Sequence, residues 1–432
     1  MRYFKILTLI FFISLSSNLL SEITTTAETK TFVAASLQDG TFYRTQVYCD
    51  INLQALFDET ELFSVIRGEY LTGVLKNPDI LSLRELWIRR VFSFQNPVLQ
   101  ELSFKIGRII HTWGNADELK PCDILNPQDL SFLLFQPLQE RKIPSLSCLL
   151  SLRFFENFLI EGVFLPIFEP SVIDNSVYFP YPVFAEIKKN PFFTIQPAVF
   201  PLKRWRDSSW ALRLGWSIFK IDGHFNYYNG YDTIPVYEIS SLIYIPGPPP
   251  VITGTFKPDY KRIVMYGLDF QRALFFNITI RAELAWFDKG KFLYLDQNRF
   301  IIDNKSAIEK QYAEYTAGFD VSSFFLRDLY LNFQINQKII SKWSYILKEK
   351  EITTSLLLAI EYPLFEQRLK LKTRFFRGIE EEYNAFSFET EFKISGNASL
   401  TSGIWIFDGV SDSLFAYYKD RDMLFASVKS IF

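Results

Sequence analysis

The sequence predicts an all-β fold: a transmembrane antiparallel up-and-down β-barrel of about 18 strands with long extracellular loops. Three observations predict it. The first is alternation. Arg368, Lys370, Lys372 and Arg374 fall on one side of "RLKLKTRF", and Leu369, Leu371, Thr373 and Phe375 on the other. In "FSFETEFKI", Phe386, Phe388, Thr390, Phe392 and Ile394 oppose Ser387, Glu389, Glu391 and Lys393. A period of two is a strand, because successive side chains point to opposite faces. The second is composition: 48% of residues are hydrophobic, with 45 Phe and 22 Tyr. Yet beyond the N-terminus no apolar run is long enough for a membrane helix. The third is the end of the chain, "LFASVKSIF". Its last residue, Phe432, suits a closing strand and an assembly signal read by the barrel-assembly machinery.

The elements follow in order. Residues 1–21 carry Arg2, Lys5 and an apolar stretch, the pattern of a secretory signal peptide, with cleavage as late as 27. Residues 28–432 then form one barrel domain. Alternating segments lie near 29–38, 43–56, 61–73, 80–92, 100–112, 147–156, 158–167, 207–219 and 221–229. More lie near 260–272, 276–287, 311–322, 328–340, 351–362, 366–377, 381–393, 396–407 and 421–432. Asp39-Gly40 is a hairpin signal between the first two. Starting in the periplasm, the long connections 113–146, 168–206, 230–259, 288–310 and 408–420 all fall outside. The short ones all fall inside, as barrels require. Sixteen strands result if the first segment or the 168–206 region is read differently. "YIPGPPP" (Tyr244 to Pro250) is excluded from a sheet interior, since proline gives no ladder donor.

Lys and Arg total 46 against 48 Asp and Glu, so the balance gives no sign of nucleic acid as a partner. Three cysteines permit one disulfide in an oxidising periplasm, and Cys122 with Cys148 is the best-placed pair; the alternative is three free thiols. Two histidines leave little material for a metal, and no cofactor is expected.

"LRELWIRRVF" and "LSFKIGRIIHTWGNADELKPCDILNPQDL" carry Arg84-Glu85, Gly107-Arg108, Trp113-Gly114, Asp123 and Asn126-Pro127. In these residues the chain resembles a family of outer-membrane barrels akin to the alginate-export porins. Ile109 departs from that pattern, where Gln is usual. "YGLDF" (Tyr266 to Phe270) and "IRAELAWF" (Ile280 to Phe287) look like the family's Gly-x-Asp and Arg-x-Glu strands. The likeness covers about the middle two-thirds of the chain and implies a pore-forming barrel, not a particular polysaccharide.

Leu102, Phe104 and Ile106 face lipid, and strict alternation sends Arg108 there too. A charge at the bilayer midplane costs roughly 2–4 kcal/mol. A bulge at Gly107 is therefore expected to turn Arg108 inward, against Glu85, Asp117 or Asp123. The 113–147 loop would then fold into the lumen. Inward parity adds Arg281, Glu283, Asn332, Gln334, the row Arg368 to Arg374, Glu389 and Glu391 to a polar, hydrated wall. Lys105 and His111 complete the pore-lining candidates. Two readings stand: the cluster anchors a folded loop, or it shapes a constriction.

The function expected is a channel for passive passage of small hydrophilic or amphipathic solutes. The alternative is a non-conducting structural or adhesin-type barrel. An enzyme is not expected, because neither His111 nor His224 has an evident Ser partner in a recognisable motif. Outer-membrane lipid and an unidentified small solute are the expected partners, and monomer and trimer are both open.

Overall fold

The computed structural model describes residues 22–173, 175–179, 181–248, 251–293, 307–323, 326–410, 413 and 415–432. The expected signal peptide, residues 1–21, lies outside them. Among the described residues twenty-one strands are numbered in chain order, and eighteen of them form one closed antiparallel barrel. These are β1 (Glu22–Ser36), β2 (Phe42–Phe57), β3 (Thr60–Leu71), β4 (Leu81–Ser93), β5 (Leu99–Ile109), β6 (Ser145–Phe154), β7 (Phe158–Leu165), β9 (Ser209–Ile218) and β10 (Ile221–Tyr231). The second half comprises β13 (Arg262–Ala273), β14 (Ile278–Leu293), β15 (Ala307–Ser322), β16 (Tyr330–Ile340), β17 (Ile352–Leu364), β18 (Leu369–Gly378), β19 (Tyr383–Lys393), β20 (Ala398–Gly409) and β21 (Met423–Ile431). Pairing of β1 with β21 closes the ring. The backbones of Ala27 and Phe432 exchange two hydrogen bonds, at 3.0 and 2.8 Å.

Every segment expected from alternation coincides with a barrel strand. The count is 18, because β1 is a full strand and 166–208 adds none to the barrel. Polarity is inverted relative to a soluble protein. Val47, Ile51, Phe104, Ile106, Leu268, Phe270, Leu284 and Phe319 are exposed on the outside. Asp50, Asn226, Asp269, Glu283, Asn332 and Gln334 are buried inside. Lipid requires that arrangement, and closure leaves no unpaired edge in the hydrocarbon.

Two features differ from expectation. The 230–259 connection holds a hairpin, β11 (Val236–Ile245) and β12 (Val251–Asp259), with the short β8 (Phe193–Ile195) added in parallel. Of the proline run, Pro246 to Pro248 follow the end of β11 outside the ladder, consistent with the missing donors, and residues 249 and 250 lie outside the described residues. A helix, Pro182–Lys189, supplies Ile187 to its core, with Ile173, Tyr237 and Phe256. The second is the lumen, which is not polar throughout. At the long-loop end Phe135 packs on Trp405 and Phe407, at 5.3 and 5.0 Å, and Phe132 on Phe179 at 5.4 Å. Inward alternation placed aromatics on this wall because a folded segment lies against it.

Candidate functional site: the inward segment

The connection 110–144 between β5 and β6 crosses the barrel interior. Its entry depends on Gly107, whose φ is +144°. A Cβ there would sit 2.0 Å from the Leu86 carbonyl oxygen. The ladder runs unbroken through Gly107 to both neighbours, so the expected bulge is absent. Arg108 accordingly keeps the parity of Phe104 and Ile106. It pairs with Glu169 at 3.1 Å and donates to the Pro144 carbonyl at 2.9 Å, not to Glu85, Asp117 or Asp123. It escapes the midplane cost by standing at the strand's end, where a later loop brings a carboxylate. The real irregularity lies opposite, where Arg84 is the extra residue between Leu83 and Glu85 in the β3–β4 register. Arg84 donates to the carbonyl of Glu140 at 3.1 Å, at the end of the short helix Leu138–Arg141. Gly107→Ala should cut the yield of heat-modifiable, folded barrel on gels several-fold, because backbone must move to admit the Cβ. An unchanged yield would show that the strand can shift at little cost.

Wall carboxylates on β13 and β14 hold the segment. Glu283, 1% exposed, accepts from the amides of Ala116 at 2.6 Å and Cys122 at 3.2 Å. Gly114, φ +83°, makes room: a Cβ there would lie 2.4 Å from Glu283 Oε1. Asp269 accepts from Asn115 at 2.7 Å and from Asn226 at 2.6 Å, and sits 2.7 Å from His224 Nδ1. Gly267 leaves the space that Cys122 Sγ fills. Asp117 receives Arg281 at 2.9 Å and Asn332 at 2.6 Å, while Arg281 also meets Asp320. Glu118 reaches Arg374 at 3.4 Å. On the far wall Arg44 donates to Ser131 at 3.2 Å and Gln46 accepts from Gln136 at 2.8 Å.

The segment also braces itself. Asn126 Oδ1 accepts from the His111 amide at 2.6 Å, and its Nδ2 donates to the carbonyls of Ile109 and Ile143. Lys142 and Asp123, 1% and 2% exposed, pair at 2.5 Å. Burial pushes the Lys142 ammonium down, opposed by Asp123. Trp113 donates its amide to Asp123 and lies under the Arg213 guanidinium. His111 does have a serine partner, Ser147, at 2.9 Å. Ser147 is wholly buried, and burial lowers the imidazole to about 3. The contact braces the segment against β6.

Other candidates lie elsewhere. Lys105 stands 3.6 Å over the Trp87 ring, and Glu85 faces the Ile110 amide. Lys372 pairs with Glu391 at 2.7 Å and Lys370 with Glu361 at 3.5 Å, with Glu389 opposite Lys372. Arg368 falls in the turn before β18 rather than in the row. The cysteines are free. Cys122 is in the inward segment, whereas Cys148 shares the outer face with Ile106 and Phe164, so no bond can join them. Asp269, Lys142, Glu118 and Glu169 were missed. Inward parity signals Asp269; nothing local signals the other three, which are defined by loop packing.

Residues 79–432 match a family model described as "Protein of unknown function (DUF1302)". No curated protein sequence matches the chain. Among solved structures it is similar to a BenF-like porin from Pseudomonas fluorescens Pf-5, with a TM-score of 0.52 and 9% identity over 96% of this chain and 99% of that one. OccD3 (OpdP) of Pseudomonas aeruginosa gives 0.53 and 9%, covering 96% and 92%. OccAB3 of Acinetobacter baumannii gives 0.53 and 9%, covering 95% and 98%. At such identity the likeness shows the fold. A closed 18-strand barrel with a lipid-type outer face resides in the outer membrane of a Gram-negative bacterium.

Proposed function

The chain belongs to the DUF1302 family, and we propose that it is an outer-membrane channel for passive passage of small hydrophilic or amphipathic solutes, narrowed by residues 110–144. The observation that carries this reading is the inner wall near the short-turn end of β17 and β18. Lys370 and Glu361 face inward there, pair with each other and remain 37% and 35% exposed. Charged side chains kept wet inside a barrel are what a water-filled path requires. Eighteen strands also enclose a lumen wide enough for one. In this reading Arg84, Trp113, Asp123 and Asn126 anchor the segment, and no polysaccharide is part of the proposal. Phe432 is the assembly signal in this reading, and residues 1–21 direct export.

The aromatic packing at the long-loop end favours a second reading, a closed barrel without conductance. Planar-bilayer recordings separate the two. Discrete steps smaller than those of an unobstructed 18-strand pore are expected. A correctly folded protein giving no steps would establish the closed form.

A further inference from the structure

A cavity of about 410 Å³ lies between the inward segment, the connection after β10 and the wall of β13 to β15. Ligand pockets typically run from about 300 to 1,000 Å³, so it is large enough for a small solute. Its charges are matched unevenly. Glu118 is taken by Arg374, Asp123 by Lys142, and Glu314 accepts from Asn336 at 3.1 Å. Arg141 makes no direct ion pair among the described residues. It is 6% exposed, its Nη1 donates only to the Leu133 carbonyl at 3.3 Å, and its Nε has no partner. Among the described residues no carboxylate pairs with it. Lys120 lines the same cavity. Asp232 is the opposite case. Its carboxylate accepts from the Ile234 amide at 3.0 Å and pairs with no cation among the described residues. Burial pushes it up to about 6, opposed by Lys338. Phe287 and Tyr312, stacked at 4.4 Å and 13°, form an apolar wall with Ile263.

We infer that this cavity is a binding site for a zwitterion with an apolar body, of dipeptide size, whose carboxylate meets Arg141 and whose ammonium meets Asp232. The guanidinium and the carboxylate line one cavity without a direct ion pair among the described residues, although Glu118 acts electrostatically on Arg141 and Lys338 on Asp232. A solute bearing both charges satisfies both at once, and a stacked aromatic wall suits the body between them. The inference rests on the channel reading only for its role: the site would hold solute in the narrowed path.

The test uses the full mature barrel folded in detergent and three probes: alanyl-phenylalanine, its N-acetyl derivative and its C-terminal amide. Isothermal titration is expected to show the free dipeptide binding at least about tenfold more tightly than either single-charge form. Arg141→Gln should erase its advantage over the amide, and Asp232→Asn its advantage over the acetylated form. Equal binding of all three probes, or none, overturns the inference. If a variant fails to fold by heat-modifiability, the wild-type comparison decides alone. Conductance in bilayers keeps the two readings apart. Steps without dipeptide selectivity sink the site and leave the channel; selective binding without steps supports the site and sinks the channel.

Discussion

Glu283→Ala is expected to release the inward segment and raise single-channel conductance several-fold. The carboxylate accepts from two backbone amides, Ala116 and Cys122, and all three residues are buried. Leaving a buried amide without a partner costs roughly 1–3 kcal/mol, and both amides would be left so. Local opening should therefore be favoured by about 2–6 kcal/mol, which shifts the segment toward a detached form. The barrel itself should persist, because no ladder hydrogen bond is lost. Limited proteolysis ought to cut within 110–144 in the variant and spare the strands. Glu283→Gln keeps one acceptor and should fall between. Wild-type conductance and protease resistance in Glu283→Ala would refute the role given to this carboxylate.

The strands were legible because lipid leaves so little freedom. Each must alternate, each must span, and each turn must alternate between short and long, so the order from β1 to β21 could be traced through nearly the whole chain. The wall half of the site was legible for the same reason. Arg281 and Glu283 are inward by parity, and both touch the segment as inward residues should. The segment's own contacts were not. The cost of a lipid-facing arginine predicts a bulge at Gly107, but at the strand's end a carboxylate from a later loop, Glu169, meets Arg108 instead. The short-range signal of Gly107 was sound, but its cause was close approach to the Leu86 carbonyl rather than a register shift. The aromatic upper lumen follows the same logic. Trp405 and Phe407 alternate inward as polar residues would, and only the arrival of Phe135 makes that favourable. Alternation reports which side a residue faces, not what fills that side.

Lys142→Met should destabilise the folded segment more than any other single change within it. The ammonium is 1% exposed, pairs with Asp123 at 2.5 Å and donates to the His111 carbonyl at 2.7 Å. Methionine fills a similar volume, so the effect isolates the charge. Breaking a buried pair by removing one partner costs about 3–5 kcal/mol, because the remaining charge is stranded. Asp123 would then keep only the Trp113 amide, at 3.4 Å, and that contact fixes the turn that brings Ala116 to Glu283. The double variant Lys142→Met with Asp123→Asn removes both charges and should recover much of the loss. Protease cleavage within 110–144 of the folded barrel provides the measurement, with heat-modifiability confirming that the strands remain assembled. Cleavage should rise sharply in Lys142→Met and fall back in the double variant. If the single and double variants are cut equally, the stranded charge is not what loosens the segment, and the contact to the His111 carbonyl carries the stability instead.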